Sequence, residues 1–163
     1  MQRVVRQLET EFICVMIEST LTKGELMTLK YRKVEYYSIV VQGHITESSK
    51  LLTTIADAGV DFLAYKAVPL EQNRTQFTLF PIDGSKMTAG AMKAGLKLDG
   101  PYSAVIITGD EKPGALARIY GKLSQAGVQV EESSGIAHVN GGYGVVLYLK
   151  QGDCDKAMAA LGK

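Results

Sequence analysis

Apolar side chains run through this chain in two rhythms, one of period two and one of period 3.6, and the rhythm switches at glycine and proline. Tyr102 to Thr108 is a short, β-branched apolar run, the pattern of a strand inside a sheet. The loop Gly109 to Lys112 follows. From Pro113 the apolar positions move to helical spacing, at Leu116, Ile119, Tyr120 and Leu123, down to Ala126, and Gly127 is placed to end that helix. Pro113 fits the first helical position, where a missing N–H costs nothing. Gly114 falls in the first turn, and with ordinary helical angles there Gly114→Asp is expected to leave the fold nearly unharmed. Val128 to Val139 predicts a strand, Asn140-Gly141-Gly142 a hairpin turn and Tyr143 to Leu149 the returning strand. A short helix runs from Gly152 or Asp153 through Leu161. The order β-α-β-β-α is one strand short of a ferredoxin-like β-α-β-β-α-β unit.

The same skeleton occurs twice. An offset of 68 residues superposes Ala58-Gly59-Val60 on Ala126-Gly127-Val128, Leu79 on Leu147 and Gly84 on Gly152, and it matches Leu51, Ile55, Phe62 and Phe77 with Ile119, Leu123, Val130 and Val145. The first copy reads as a strand Tyr36 to Gln42, a helix from about Thr46 to Ala58, a hairpin of Val60 to Val68 with Thr75 to Ile82, and a helix Ser85 to Ala94. Leu96 to Leu98 is available as a closing strand, and Asp99-Gly100-Pro101 carries the turn signal between the copies. The predicted organisation is an N-terminal extension over 1–35, a first domain over 36–98 and a second over 101–163. Within the extension, Glu11 to Thr22 is expected to be a helix or strand, residues 1–26 are expected to add little to the core, and Met27 offers an alternative start.

Composition narrows the classes. With 163 residues, 46% hydrophobic and 21% charged, the chain has the balance of a folded protein that buries a core without disulfide staples. Lys and Arg number 18 against 17 Asp and Glu, with no long run of one sign, which argues against a sequence-blind grip on a phosphate backbone. Cys14 and Cys154 stand far apart outside any CxxC pair, and His44 and His138 have no metal-ligand spacing, so no metal or other cofactor is expected. Phe12 to Ile17 is too short for a membrane span or a signal-peptide core, and the expected location is the cytoplasm.

The segment that carries chemistry is Gly109 to Leu116. A strand, then Gly-Asp-Glu-Lys-Pro-Gly-Ala-Leu-Ala, then an amphipathic helix, presents free backbone N–H groups at a helix N-terminus, a natural place for a carboxylate. The competing reading is that Pro113-Gly114 only starts the helix tightly. The motif, closed by Ala126-Gly127-Val128, resembles the ACT domain, a small-molecule-binding regulatory module attached to many enzymes of amino-acid metabolism. The resemblance covers about Tyr36 to Leu161 as two tandem copies, of which the second is the specific one. It implies an α+β fold of two tandem ferredoxin-like ACT-type sandwiches, sheets paired between domains, and an amino-acid effector at a domain interface. It places ligand contacts on the loop Asp110, Glu111 and Lys112, on the backbone of Gly114, Ala115 and Leu116, and on Gln129. In several amino-acid-binding members an amide matches Glu111 and a shorter amide matches Gln129. The first copy has no Pro-Gly in Gly43 to Ser48, and Asp61 stands where Gln129 stands, so it reads as a structural partner or a degenerate site.

No signature of catalysis is present. Ser133-Ser134-Gly135, Ser48 and Ser49 have no histidine and carboxylate at motif spacing, and no GxSxG or P-loop occurs. The pair Asp110 and Glu111 reads as a solvated cluster at the start of a helix. Two other classes share the element order. An RNA-binding module of the RRM type would alternate aromatics through Tyr143 to Leu149, which this strand does not; a small ferredoxin-like enzyme would need a buried ionisable cluster. The expected protein is a stand-alone regulatory module that binds a small molecule, an amino acid or related carboxylate. It is expected to self-associate through sheet edges or an uncovered sheet face, to bind neither nucleic acid nor membrane, and to act on an enzyme partner.

Overall fold

The computed structural model describes residues 29–110, 113–137 and 142–162. The segment 1–28 lies outside the described residues, and with it Cys14, the element expected at Glu11 to Thr22 and the start at Met27. So do Glu111, Lys112, His138 and the Asn140-Gly141 pair.

The elements are β1 (Leu29–Gln42), α1 (Ser49–Asp57) preceded by a 3-10 turn (Ile45–Ser48), β2 (Phe62–Leu70), β3 (Arg74–Pro81), α2 (Gly84–Lys93), β4 (Asp99–Gly109), α3 (Ala115–Gln125), β5 (Val130–Ala137), β6 (Tyr143–Leu149) and α4 (Asp153–Leu161). They form two compact units. The inserted unit is continuous, residues 34–103; the split unit joins residues 29–33 to residues 104–162. Both are α+β, with two helices packed on an antiparallel sheet, as the sequence predicts.

In the inserted unit β3 lies between β2 and β1, pairing Tyr37 with Leu79 and Ile39 with Phe77. Those side chains meet Leu51 and Ile55 of α1 and Met87 of α2 in one core. Leu96 and Leu98 pack against this core without forming a strand. The closing strand is the leading half of β4, so Asp99-Gly100-Pro101 opens a strand where a turn is expected. The glycine there answers a close approach: a Cβ on Gly100 would come within 2.9 Å of the Tyr36 carbonyl oxygen. β2 likewise runs on past the predicted end at Val68, through Pro69, because it is the outer strand of this unit's sheet and a missing N–H on its free side breaks no ladder bond.

In the split unit β6 lies between β4 and β5, pairing Val105 with Leu147 and Ile107 with Val145. Ile119 and Leu123 of α3 and Leu161 of α4 close the core, each about 2% exposed or less. Burying side chains of this size contributes roughly 1.5–3 kcal/mol each. The helix α3 ends as the sequence predicts, with Gly127 at φ 63° and the Val128 N–H donating to the Leu123 carbonyl at 2.9 Å. Leu29 and Tyr31 of β1 also pack against this core. Residues 29–33 thus give the unit the strand segment that its β-α-β-β-α order lacks, drawn from the other end of the chain.

Candidate functional site

The turn from β4 into α3 is the first place to look, since the sequence puts its chemistry there. Helix α3 begins at Ala115, one residue after Gly114, which sits at the N-cap with φ 81° and ψ 3° in the left-handed region. Pro113 therefore precedes the cap and is not the first helical residue. The expectation of ordinary helical angles at Gly114 fails, and with it the expectation that Gly114→Asp is benign: the chain leaves the strand through a positive φ that side-chain-bearing residues adopt at a cost. Among the described residues no side chain caps this helix, and no acidic residue occupies its first turn. By contrast, Asp83 Oδ1 caps α2, accepting from the Ser85 N–H at 2.9 Å and the Lys86 N–H at 3.2 Å. The first N–H groups of α3 keep the partial positive charge of a helix end.

Beside them lies a cleft of about 420 Å³, lined by Gly114, Ala115 and Leu116, by Gly135, Ile136 and Ala137 of β5, and by Tyr143, Gly144 and Val145 of β6. That volume falls within the range of roughly 300–1,000 Å³ typical of small-molecule sites. Strand register explains the space. Gly135 pairs with Val145 and Ala137 with Tyr143, so the two small residues lie on the face that carries the core, where larger side chains would fill the gap between strand and helix. Leu116 and Ile136 are exposed at its walls. Beyond the cleft, the Tyr120 hydroxyl and Ser133 Oγ hydrogen-bond to each other, tying α3 to β5.

Among the described residues Tyr143 is the one lining residue with a polar side chain. Its hydroxyl is shielded from solvent and has no hydrogen-bond partner among the described residues, an arrangement that costs about 1–3 kcal/mol. Burial pushes its pKa above the usual 10.0; the Asp110 carboxylate pushes the same way and the Arg118 guanidinium opposes them. Arg118 stands close to the cap, its Nη1 being 3.9 Å from the position of a Cβ on Gly114. The helix start thus offers N–H donors, apolar walls and a single phenol.

Of the residues expected to form the site, Gly114, Ala115 and Leu116 meet in the cleft. Asp110 is exposed at the end of β4 and acts on Tyr143 through its charge. Glu111 and Lys112 lie outside the described residues. Gln129 does not join the others: it follows α3, whose 11 residues span about 16 Å. It is exposed, and its N–H donates to Asp153 Oδ2 at 3.3 Å. The lining residues Gly135, Ile136, Ala137 and Tyr143 escaped the sequence reading. Their signal was a run of small residues, Ser133 to Gly135 and Ala137, in a strand that should have been bulky.

Elsewhere, the buried Cys154 thiol of α4 is pushed above its usual pKa by burial, which makes it a poor nucleophile. Among the described residues no three His, Cys, Asp or Glu side chains group as a metal site. No described helix is long and apolar enough to cross a membrane.

No protein-family profile matches the chain, and no curated protein matches it in sequence. Solved structures do match. Protein BT0572 from Bacteroides thetaiotaomicron superposes with a TM-score of 0.69 at 20% identity, over 80% of this chain and 88% of that one. The ligand-free regulatory subunit of aspartate kinase from Thermus thermophilus gives 0.55 at 10% identity, over 83% and 93%. The corresponding subunit from Thermus flavus gives 0.53 at 11%, over 83% and 94%. At these identities the likeness is one of fold alone.

Proposed function

We propose that this chain is a non-catalytic regulatory protein that senses an amino acid or a related carboxylate at the cleft of the split unit. The observation that carries the reading is a cleft of about 420 Å³ opening on the start of α3, which no side chain among the described residues caps. The N–H groups there receive the guest's carboxylate, and the walls of Ala115, Leu116 and Val145 receive its carbon chain. Asp110 and Glu111 attract its ammonium group, with Lys112 in the same loop. Gln129, remote from this cleft within its own unit, contributes from a second copy of the chain in a homo-oligomer. Likeness in fold to aspartate kinase regulatory subunits supports the regulatory half of the reading.

The mechanism is linkage. A guest that binds one arrangement of the chain better than another shifts the population toward it, and an enzyme partner in the cytoplasm reads the change. A thermal-shift screen against amino acids and short carboxylates tests this. A guest at 100 times its dissociation constant adds about 2.7 kcal/mol of stability, and a screen in which every compound leaves the melting temperature unchanged contradicts the proposal.

A further inference from the structure

The two units carry the same position in two chemical states. Strand register pairs Thr75 with Val41 in the inserted unit and Tyr143 with Gly109 in the split unit, both at the strand end that leads into a helix. The 68-residue offset that relates the copies takes Val41 to Gly109 and Thr75 to Tyr143 as well. In the inserted unit this position is closed. Thr75 is fully buried, and its hydroxyl donates to the Gly43 carbonyl at 2.8 Å. Two further bonds knit the same loop: the Gly43 N–H donates to the Asn73 carbonyl at 2.7 Å and Ser48 Oγ to the His44 carbonyl at 3.1 Å. The 3-10 turn Ile45–Ser48 then leads straight into α1.

In the split unit the equivalent side chain is longer, lines the cleft and ends in a hydroxyl with no partner among the described residues. A phenol both donates and accepts, so it suits a carboxylate, an amine or a side-chain hydroxyl of a guest. Among the described residues no charged side chain lines the cleft. Asp110 and Arg118 act on Tyr143 through their charge without lining the cleft, so a charged guest side chain buried there meets no lining ion partner among the described residues, which favours uncharged side chains.

Building on the proposed sensing role, we infer that the chain holds one ligand site, in the split unit alone, and that Tyr143 is its specificity-determining residue, hydrogen-bonding a polar group of an amino acid with an uncharged side chain. Thr75 is the counterpart that closes the inserted unit to the same guest.

The test is calorimetric titration of the full chain with the protein amino acids, each at up to about 10 mM, followed by the same titration of Tyr143→Phe and Thr75→Val with the best binder. The expected stoichiometry is one guest per chain. Tyr143→Phe should weaken binding about tenfold while melting at or above the parent temperature, because it removes an unpaired buried group. Thr75→Val should melt lower and bind with parent affinity. Two guests per chain, or an acidic or basic amino acid as the best binder, overturns the inference. So does a Tyr143→Phe variant that keeps parent affinity; if that variant also melts lower, the hydroxyl serves the fold. No binding by any amino acid overturns the sensing role itself and the inference with it, whereas binding with any of the other contrary results overturns the inference alone.

Discussion

Lys33, in the leading end of β1, holds its ammonium 3.0 Å from the carboxylate of Asp155 on α4. The two residues are 122 positions apart, and the pair marks where the start of the described chain joins the split unit. Hydrogen bonding to Asp155, with its charge, raises the Lys33 pKa. Both side chains are well exposed, so the pair contributes little; the packing of Leu29 and Tyr31 on the core does more. Lys33→Ala should therefore barely change the melting temperature. The double change Leu29→Ala with Tyr31→Ala should destabilise by about 2–4 kcal/mol in chemical denaturation, because half-buried apolar groups are lost from the core. Equal effects would mean that β1 is held by charge.

Gly114 supplies a second comparison. At φ 81°, Gly114→Ala should destabilise by about 1–2 kcal/mol, while Gly114→Asn, whose short amide tolerates left-handed angles, should lose less than roughly 1 kcal/mol. Urea unfolding of the two variants measures the order. An alanine variant as stable as the parent would show that the turn adopts an ordinary helical φ.

Asp83 gives a pH-dependent case. Hydrogen bonds from Ser85 and Lys86 at the start of α2 hold its carboxyl below the usual 3.8. A group lowered in the folded state stabilises above the unfolded pKa and loses that contribution as pH falls through the folded one. Asp83→Ala should lower the melting temperature at pH 7, and the gap between variant and parent should narrow as pH drops below about 4. A gap independent of pH would assign the effect to something other than the charged cap.

Tyr143 behaves oppositely. Burial raises its pKa above 10.0, so its contribution is complete below that value and is lost as pH rises through the higher folded one. The parent should lose stability above about pH 10 more steeply than Tyr143→Phe. Parallel melting-temperature curves for the two proteins would place this hydroxyl in solvent.

Much of the fold was legible because short-range pattern and long-range packing agree in it. Ile119 and Leu123 recur at helical spacing and face the core, Gly127 ends their helix, and Val105 and Ile107 alternate into the same core. What could not be read was whatever depends on partners distant in sequence. Leu29 and Tyr31 look like part of an extension because the core they join begins more than seventy residues later. Gly100-Pro101 looks like a turn because the approach of the Tyr36 carbonyl is invisible locally. At the site, the Pro113-Gly114 motif located the helix start, but the opposite wall, Gly135 to Ala137 and Tyr143, is set by the register of β5 on β6.

The central claim is that the cleft beside Gly114 receives an amino acid or carboxylate, and an NMR titration of the isotope-labelled chain tests it most directly. With the compound that gives the largest thermal shift, the account predicts that the amide signals of Gly114, Ala115 and Leu116 move first and furthest, followed by Gly135, Ala137 and Tyr143. Those of Gly43, His44 and Thr75 should stay in place. Saturable shifts centred on the inserted unit, or on neither loop, would contradict it.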